Sequence, residues 1–368
     1  MSAAAAPALP SLPDTAQLSP LVLTILGQNP GLMTLQGTNT YVVGSGPSRI
    51  LIDTGEGVKQ WATNLRATLK QHGVTSLHAI LLTHWHHDHT GGVADILDLL
   101  APPAGAGSPD AASSGIFKAR GAENFPRAVL ARLPGGAQSI RTIEADHVFR
   151  TEGATLRALA TPGHTEDHTS FVLTEERAVF TGDTILGSGT AVFSDLHAYL
   201  HSLRLIAVEQ PSKLYPAHGS VIASEAPRRI EEYIAHRSQR ESQILAAMTK
   251  HAEELAGVPE DQRSSRYLTA PDLVHRIYAG LDEHLMSAAA NNVLLHLAKL
   301  EKDGRVASMP APADKTEGRL PQHPQHAGHD QTAEEETAKE GCDDCQSEMA
   351  RALAIAVKRS KWRWRLIK

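Results

Sequence analysis

The chain has 368 residues, of which 41% are hydrophobic and 21% charged, and these proportions exclude a chain that is disordered throughout or collagen-like. A formal net charge of −6 argues against a protein coated in basic charge for duplex nucleic acid. No apolar run reaches the roughly 18 residues of a membrane-spanning helix, so we expect no integral membrane segment. At roughly 150 residues per domain, the length predicts one large domain and one small one.

The start of the chain carries no targeting signal of a known type. Residues 1–20 are rich in Ala and Pro and contain no Lys or Arg, so they match neither a secretory signal nor an Arg-rich mitochondrial presequence. We expect them to form a flexible N-terminal arm. The only cysteines, Cys342 and Cys345, are too few for a disulfide framework. Together these features predict a cytoplasmic protein.

Residues 21–227 carry the signals of one α/β domain. Short apolar runs separated by Gly, Asn and Pro predict strands from residue 21 onward. Helical spacing over 61–71 is followed by a buried-strand run over 78–83, which gives the order strand, helix, strand. Residues 101–114 are small or polar and are expected to form a surface insertion loop without a chemical role. Further short strands are expected at 115–118, 154–160, 169–174 and 178–183.

The pattern changes near residue 228. One long helix with charges on one side begins there, and two shorter helices and a Gly-turned strand follow it. This order predicts a helical linker and a small winged-helix-like domain over 228–308. Residues 309–368 contain few large apolar side chains, and we expect a disordered tail that ends in a basic segment.

A cluster of histidines follows the predicted strand 78–83, in the segment THWHHDHTGG. His84 and His86 are two residues apart, so in an extended backbone their rings point to the same side and can bind one metal ion. Asp88 and His89 lie on the turn that follows and can face a second ion. We expect His86 and Asp88 to take part in catalysis as well as in metal binding.

Three later residues complete a candidate site for two Zn²⁺ ions, and each follows a strand-like run beside a glycine. The first group, which leaves one position for water as catalytic zinc sites require, consists of His84, His86 and His164. The second group, in which the Asp183 carboxylate bridges the two ions, consists of Asp88, His89, Asp183 and His218. A bridging hydroxide would be the nucleophile of a metal-assisted hydrolysis. A purely structural zinc site is the alternative, but such sites prefer four Cys or His ligands without carboxylates. Asp53 is expected to orient a ligand histidine or the local turn.

In this order, Asp53 in LIDTG, the HxHxDH signature and the three later ligands resemble the metallo-β-lactamase superfamily. Within it, NPGLMTLQGTNTYVVG, LLTHWHHDHTGG and LLHLAKLEKDGRV are similar to the group of β-lactamase-like protein 2. The resemblance covers roughly residues 21–308. It implies an αββα sandwich, a two-zinc site and a C-terminal β-lactamase-associated winged-helix domain.

The resemblance implies two activities. Its members include a zinc-dependent endoribonuclease, so we expect cleavage of single-stranded RNA phosphodiesters, with phosphate contacts from arginines of the long helix. The candidate contacts are Arg228, Arg229, Arg237 and Arg240. A solvated helix face paired with glutamates is the alternative interpretation of these arginines. The resembling endoribonuclease is mitochondrial, so the mitochondrial matrix is the alternative compartment.

The alternative activity is that of an acyl thioesterase using the same metal site, as in similar fungal proteins that release polyketides. Its partner would be an acyl-carrier protein or a small thioester. The acidic net charge does nothing to attract RNA, and the segment LTHWHxDHTGGV also occurs in the fungal thioesterases. A protein that kept the fold but lost the chemistry is disfavoured, because the ligand set is complete.

Two features of the tail carry weaker hypotheses. The CxxC spacing of Cys342 and Cys345, with His323, His326 and His329 nearby, could hold a metal, but without a preorganised shell. The basic, Trp-containing end KRSKWRWRLIK suits single-stranded nucleic acid or an anionic membrane surface. An amphipathic helix over 349–364 that folds back onto the body is the alternative.

Overall fold

The structure is a computed structural model and describes residues 9–100, 114–144, 146–259, 267–278, 280–282, 285–309 and 363–367. Its first sheet has seven strands in the order of the sequence. The first four are antiparallel neighbours, and the fourth to the seventh run parallel. These strands are β1 (Thr15–Gln17), β2 (Val22–Leu26), β3 (Asn39–Val43), β4 (Ser48–Ile52), β5 (Ser76–Leu82), β6 (Gly115–Lys118) and β7 (Ile140–Thr142).

The second sheet has five strands in the spatial order β12, β11, β10, β9, β8. All its neighbours are antiparallel except β11 and β12, which run parallel. Its strands are β8 (Val148–Thr151), β9 (Ala154–Ala160), β10 (Thr169–Leu173), β11 (Ala178–Gly182) and β12 (Lys213–Pro216).

Seven α-helices accompany the strands in the part of the chain that the structure describes. They are α1 (Lys59–Gln71), α2 (His87–Thr90), α3 (Arg127–Leu130), α4 (Leu196–Val208), α5 (Ala226–Ala256), α6 (Ala270–Ile277) and α7 (Met286–Lys302). None of the described helices is both long and apolar enough to cross a bilayer.

The strands of the first sheet are buried on both faces, as the alternation of their side chains requires. In β4, Ile50 and Ile52 join the core between the sheets, whereas Leu51 lies in a second core on the other face. That second core contains Trp61 and Leu65 of α1, so helices cover the outer face of the first sheet. Helix α4 buries its own apolar side for the second sheet. The layers are those of the expected αββα sandwich.

The N-terminal arm is more ordered than its composition indicates. Within residues 9–20, strand β1 pairs with β2 and forms the edge of the first sheet. The side chain of Gln36 donates a hydrogen bond to the Pro10 carbonyl, and Leu26 N–H donates to the Asp14 carbonyl. An edge strand needs only one partner, which a short polar segment can find without a strong apolar pattern. The predicted insertion loop 101–114 falls outside the described residues except for Ser114.

The C-terminal helices form a core of their own with strand β13 (Val306–Met309). Strand β14 (Arg363–Leu366) pairs antiparallel with β13, and Trp364 also exchanges two backbone hydrogen bonds with Leu268 on its other side. These residues therefore differ from the disordered tail, and from the terminal helix, that the sequence indicates. The physical reason is a period of two, because Trp364 and Leu366 face the core between outward arginines.

The chain divides into two compact units, Met1–Gln239 and Arg240–Lys368, so the boundary falls inside α5 rather than at residue 227. The change of composition near residue 228 marks the start of the helix, not the end of the first unit. The first turns of α5 belong to that unit, because Ile230 and Tyr233 are buried and the Tyr233 hydroxyl accepts a hydrogen bond from Leu186 N–H. The candidate tail ligands, His323 to Cys345, lie outside the described residues.

Candidate metal centre

The seven predicted metal ligands come from segments that follow the C-terminal ends of strands. Strand β5 ends at Leu82, directly before the histidine segment, and β11 ends at Gly182, directly before Asp183. Strand β12 ends two residues before His218, and His164 lies on the loop between β9 and β10. The structure brings these residues together in two adjacent groups.

The first group contains three imidazoles and one carboxylate: His84, His86, His164 and Asp183. The Nδ1 atom of His86 lies 2.8 Å from Nε2 of His84 and 3.0 Å from Nε2 of His164. The Oδ2 atom of Asp183 lies 3.5 Å from Nε2 of His164. Two ligands bound 2.0–2.1 Å from one tetrahedral zinc ion are about 3.3 Å apart, so the spacing fits a single ion.

The second group contains Asp88, His89 and His218, and Asp183 reaches it with its other oxygen. The Oδ1 atom of Asp183 lies 3.2 Å from Nε2 of His218 and 3.5 Å from Nε2 of His89. The Oδ2 atom of Asp88 lies 3.2 Å from each of the same two nitrogens. Asp183 thus directs one oxygen to each group, which is the geometry of a bridging ligand.

Unpaired polar atoms show that these residues fit a metal. The Nε2 atom of His89 and the Oδ1 atom of Asp183 are buried and lack a hydrogen-bond partner among the described residues. Leaving such groups unsatisfied is costly unless an unmodelled ion or water binds them. Nitrogen and carboxylate donors are those that Zn²⁺ accepts, and manganese or iron accept them as well.

Hydrogen bonds on the far side of two rings fix the tautomer that metal binding needs. The Nδ1 atom of His164 lies 2.8 Å from the Val192 carbonyl, so it carries the proton and leaves the lone pair of Nε2 for a metal. In the same way, Nδ1 of His89 lies 2.9 Å from Oδ2 of Asp53. The expected role of Asp53, orienting a ligand histidine, corresponds to this contact.

Burial keeps the rings of the first group neutral. Burial, together with the neighbouring imidazoles, lowers the pKa of His84 well below its usual value. Burial also lowers the pKa of His164 to about 4, against the opposing effect of the Asp183 carboxylate. Both rings are therefore neutral near pH 7, which is the state in which imidazole binds a metal.

The second group has the opposite charge balance. Burial opposes a charge on His218, but the Asp183 and Asp88 carboxylates outweigh it and raise the pKa of His218 to about 10. Burial likewise opposes a charge on His89, but Asp88, Asp53 and Asp183 raise its pKa well above the usual value. Despite burial, the neighbouring imidazoles hold the pKa of the Asp183 carboxyl far below its usual range. Metal binding to this group therefore displaces protons.

Two loops are tied to the second group by side chains that the sequence analysis did not select. The Thr38 hydroxyl donates to Oδ2 of Asp88 over 3.2 Å, and Asn29 holds Thr38 through its amide. The amide of Asn39 donates to the carbonyls of Pro216 and Gly219, on either side of His218. The segment containing Asn29, Thr38 and Asn39 was interpreted from sequence as a hairpin near the rim of the site, and its polar residues were the available signal.

His168 is the most important side chain that the sequence analysis missed, because it was grouped with structural histidines. Its ring is buried beside the first group, with its centroid 5.2 Å from that of His84. Its Nε2 atom accepts a hydrogen bond from the backbone N–H of Asp183 over 3.0 Å. Burial lowers its pKa well below the usual value, so the ring is neutral. Its position four residues after His164 was the only sequence signal.

A buried ion pair anchors the loop that carries His164. The ammonium of Lys118, at the end of β6, lies 2.7 Å from Oδ2 of Asp167, and both side chains are almost fully buried. The Thr165 hydroxyl donates to the other oxygen of Asp167. A buried pair of this kind contributes more to a defined loop conformation than to overall stability.

The candidate RNA-contacting arginines at the start of α5 are engaged within the protein. Arg228 forms ion pairs with Glu225 and Glu232, at 2.8 and 3.0 Å. Arg229 donates to the Gly189 carbonyl, and its guanidinium lies 4.9 Å from the centre of the Tyr233 ring. These contacts match the alternative interpretation of a paired helix face.

The two later arginines are also packed against the protein. Arg237 is only 4% exposed, donates to the Ala191 carbonyl and lies over the Phe193 ring. Arg240 lies 4.3 Å from the centre of the Tyr278 ring. Arg237 cannot reach a phosphate from its buried position, so the structure does not support it as an RNA contact. Its position on the polar-looking side of a long helix concealed this burial.

Comparisons with known proteins agree with this site. The profile of the metallo-beta-lactamase superfamily matches residues 33–218, and that of the beta-lactamase associated winged helix domain matches residues 269–314. A solved beta-lactamase domain protein from Burkholderia ambifaria shares the fold, with a TM-score of 0.58 and 19% identity over 81% of this chain and 92% of its own.

Relatives of higher identity cover most of the chain. The atrochrysone carboxyl ACP thioesterase of Passalora fulva is 43% identical over 81% of this chain and 80% of its own length. The lactamase-like protein nscB of Aspergillus fumigatus is 41% identical over 82% and 84%, respectively. The beta-lactamase-like protein 2 homolog of Drosophila melanogaster is 43% identical over 80% and 92%. The chain therefore belongs to the metallo-β-lactamase superfamily and ends in its associated winged-helix domain.

Proposed function

We propose that this chain is a metal-dependent hydrolase of acyl thioesters, acting on acyl groups attached to a carrier protein. The observation that carries the proposal is the 43% identity, over four fifths of both chains, to a relative named as an ACP thioesterase. A second relative with that name, from Paecilomyces divaricatus, is 41% identical over 81% of this chain. The endoribonuclease activity that the sequence first favoured has no such named relative among these comparisons.

The two groups of ligands would hold two Zn²⁺ ions, with Asp183 as the bridge. When bound, such ions polarise the thioester carbonyl and lower the pKa of the attacking water. In the overall reaction, water oxygen bonds to the carbonyl carbon and the carbon–sulfur bond breaks. The products are a carboxylic acid and a thiol, which takes the proton.

The side chains of the site supply orientation and a fixed pattern of charge. The neighbouring imidazoles and Thr38 keep Asp88 ionised, because they outweigh the cost of its burial and hold its pKa well below the usual value. An ionised Asp88 can accept a hydrogen bond from the attacking water. His86 holds the centre of the first group, within 3.0 Å of both neighbouring rings. These are the roles that we assign to His86 and Asp88 in catalysis.

The surface beside the site supports an acyl substrate over a polyanion. Leu32 and Met33, on the loop between β2 and β3, are 95% and 53% exposed. The same loop reaches Asp88 through Thr38. Val192, whose carbonyl fixes His164, is also exposed. Apolar side chains on this rim suit an acyl chain, whereas phosphates call for cationic groups.

Hydrolysis of two labelled substrates by the zinc-loaded protein tests the proposal. One is a polyketide-type acyl thioester on a carrier protein, and the other is a single-stranded RNA. We expect thioester cleavage that His86→Ala reduces by more than the about 10- to 100-fold typical of lost ligand-orienting groups. His87→Ala is the matched control, because His87 is adjacent but belongs to neither group. RNA cleavage lost in His86→Ala, without thioester cleavage, would establish the endoribonuclease instead.

A further inference from the structure

His168 contacts more elements of the site than any role as a core-filling residue requires. Its ring lies between the strand end that carries His84 and the turn that carries Asp183. Its backbone carbonyl accepts a hydrogen bond from Thr161 N–H, and the next residue, Thr169, donates through its N–H to the carbonyl of Thr83. Side chain and backbone thus join segments from both sheets at one point.

The hydrogen bonds of the ring define its tautomer. Nε2 accepts from the backbone N–H of Asp183, so the ring proton resides on Nδ1. That Nδ1 atom lies 2.9 Å from the Thr161 hydroxyl and 3.2 Å from the Thr184 hydroxyl, both of which can accept its proton. The Thr161 hydroxyl also lies 2.9 Å from the Ser170 hydroxyl, which extends the chain of hydrogen bonds. The lone pair of Nε2 is therefore directed at one backbone N–H.

The turn above the ring is shaped to receive this contact. Gly182 has φ of +49°, and a Cβ atom at this position would lie 2.5 Å from Nε2 of His168. Any larger residue would displace the ring or the turn. The N–H of Thr184 donates to the Thr181 carbonyl and closes the turn around Gly182 and Asp183.

From these contacts we infer that His168 is the positioning residue of the bridging carboxylate. By accepting the Asp183 N–H, it fixes the backbone from which that carboxylate reaches both groups of ligands. The inference rests on the proposed metal centre. It concerns a residue outside both ligand groups, and it assigns a function to a histidine that contacts no ligand atom through a lone pair available to metal.

A matched pair of substitutions separates positioning from filling of space. His168→Leu has a similar volume but offers no acceptor, whereas the amide oxygen of His168→Gln can take the place of Nε2. We expect His168→Leu to bind Zn²⁺ about 10- to 100-fold more weakly, the usual cost of losing a group that orients a ligand. His168→Gln should recover most of that affinity. Competition with a chelator gives the affinities, and elemental analysis gives the number of ions per chain.

The visible absorption of the Co²⁺-loaded protein supplies a readout of ligand geometry. We expect an altered spectrum in His168→Leu and a spectrum close to that of the wild type in His168→Gln. The control is His296→Leu, which removes a buried histidine from the other unit and should lower the melting temperature without changing metal affinity. Equal metal affinity in the wild type, the Leu variant and the Gln variant would overturn the inference, and so would equal losses in both variants.

Thr161→Val keeps the test decisive if His168→Leu does not fold. It removes the closest acceptor of the ring proton while preserving the shape of the residue. The proton can then move to Nε2, which faces the Asp183 N–H, and metal affinity should fall. Unchanged affinity in this variant would also overturn the inference. Since the readout is metal binding, the result does not depend on whether the chain hydrolyses thioesters.

Discussion

Asp53 shows how a single carboxylate can organise one side of the metal centre. It follows β4 with φ of +58°, which is uncommon for a residue other than glycine. Its Oδ1 atom accepts from Thr83 N–H, and its Oδ2 atom accepts from the Thr83 hydroxyl and from Nδ1 of His89. The strained backbone is compensated by these buried hydrogen bonds, and strain of this kind is concentrated at functional sites.

Replacing Asp53 should therefore weaken metal binding more than it weakens the fold. In Asp53→Ala, His89 loses the acceptor that fixes its tautomer, and we expect Zn²⁺ affinity to fall about 10- to 100-fold. Chelator competition measures the change. Asp98→Ala is the control, because Asp98 is an exposed partner of Arg66 and lies in neither ligand group. Unchanged zinc content in Asp53→Ala would refute the orienting role.

The sequence identifies ligands better than it identifies the groups that support them. His84, His86, Asp88 and His89 can be recognised because they lie within six residues at the end of one apolar strand. His168 and Lys118 cannot, since their partners, Asp183 and Asp167, are far along the chain and the contacts depend on how two sheets pack. Periodicity reports local structure and contains no information on such pairing.

At the scale of elements, β14 completes the C-terminal unit from a distance of more than fifty residues. Its central residue, Trp364, is 1% exposed and packs in one core with α6, α7 and β13. Backbone hydrogen bonds join it to Leu268 on one side and to β13 on the other. The profile match of the winged-helix domain ends at residue 314, so this strand lies beyond it. The period of two in WRWRL was visible in the sequence, but its partner strand was not.

Trp364→Ala should consequently destabilise the C-terminal unit. Truncating a buried Trp typically costs about 3–5 kcal/mol of unfolding free energy, through lost burial and the cavity that remains. Urea denaturation and hydrogen exchange at Leu268 and Val306 would measure the loss. Arg365→Ala is the matched control, because its side chain is exposed on the same strand and its removal should change stability by less than about 0.5 kcal/mol. An unfolding free energy equal in the two variants would argue against β14 as a core strand.

At the scale of the molecule, the αββα layers bring residues from Asp53 to His218 to one end of the two sheets. That outcome follows from sequence only in part. The alternation of apolar residues predicts strands and their burial, and the order of strand and helix predicts an α/β domain. The pairing of β4 with β5 and of β11 with β12 decides which strand ends meet, and only the structure provides it.

The charge balance of the second group makes the stabilisation by metal dependent on pH. Without metal, the carboxylates raise the pKa of His218 from about 6.5, its value in an unfolded chain, to about 10. A raised folded pKa gives stability that is complete below about pH 6.5 and is lost as the pH rises towards 10. In the metal-loaded protein the same ring is a neutral ligand, so this contribution is absent. The advantage of the loaded protein should therefore grow across this window.

We expect the difference in unfolding free energy between the zinc-loaded and the EDTA-treated protein to increase between pH 6.5 and 10, by up to about 1.4 kcal/mol per pH unit from His218. Denaturation of both forms at several pH values, with excess zinc removed beforehand, measures it. His72→Gln, outside both ligand groups, should leave the slope unchanged, whereas His218→Gln should abolish it. A difference that stays constant or shrinks over this range would mean that His218 does not carry the proton that metal binding displaces.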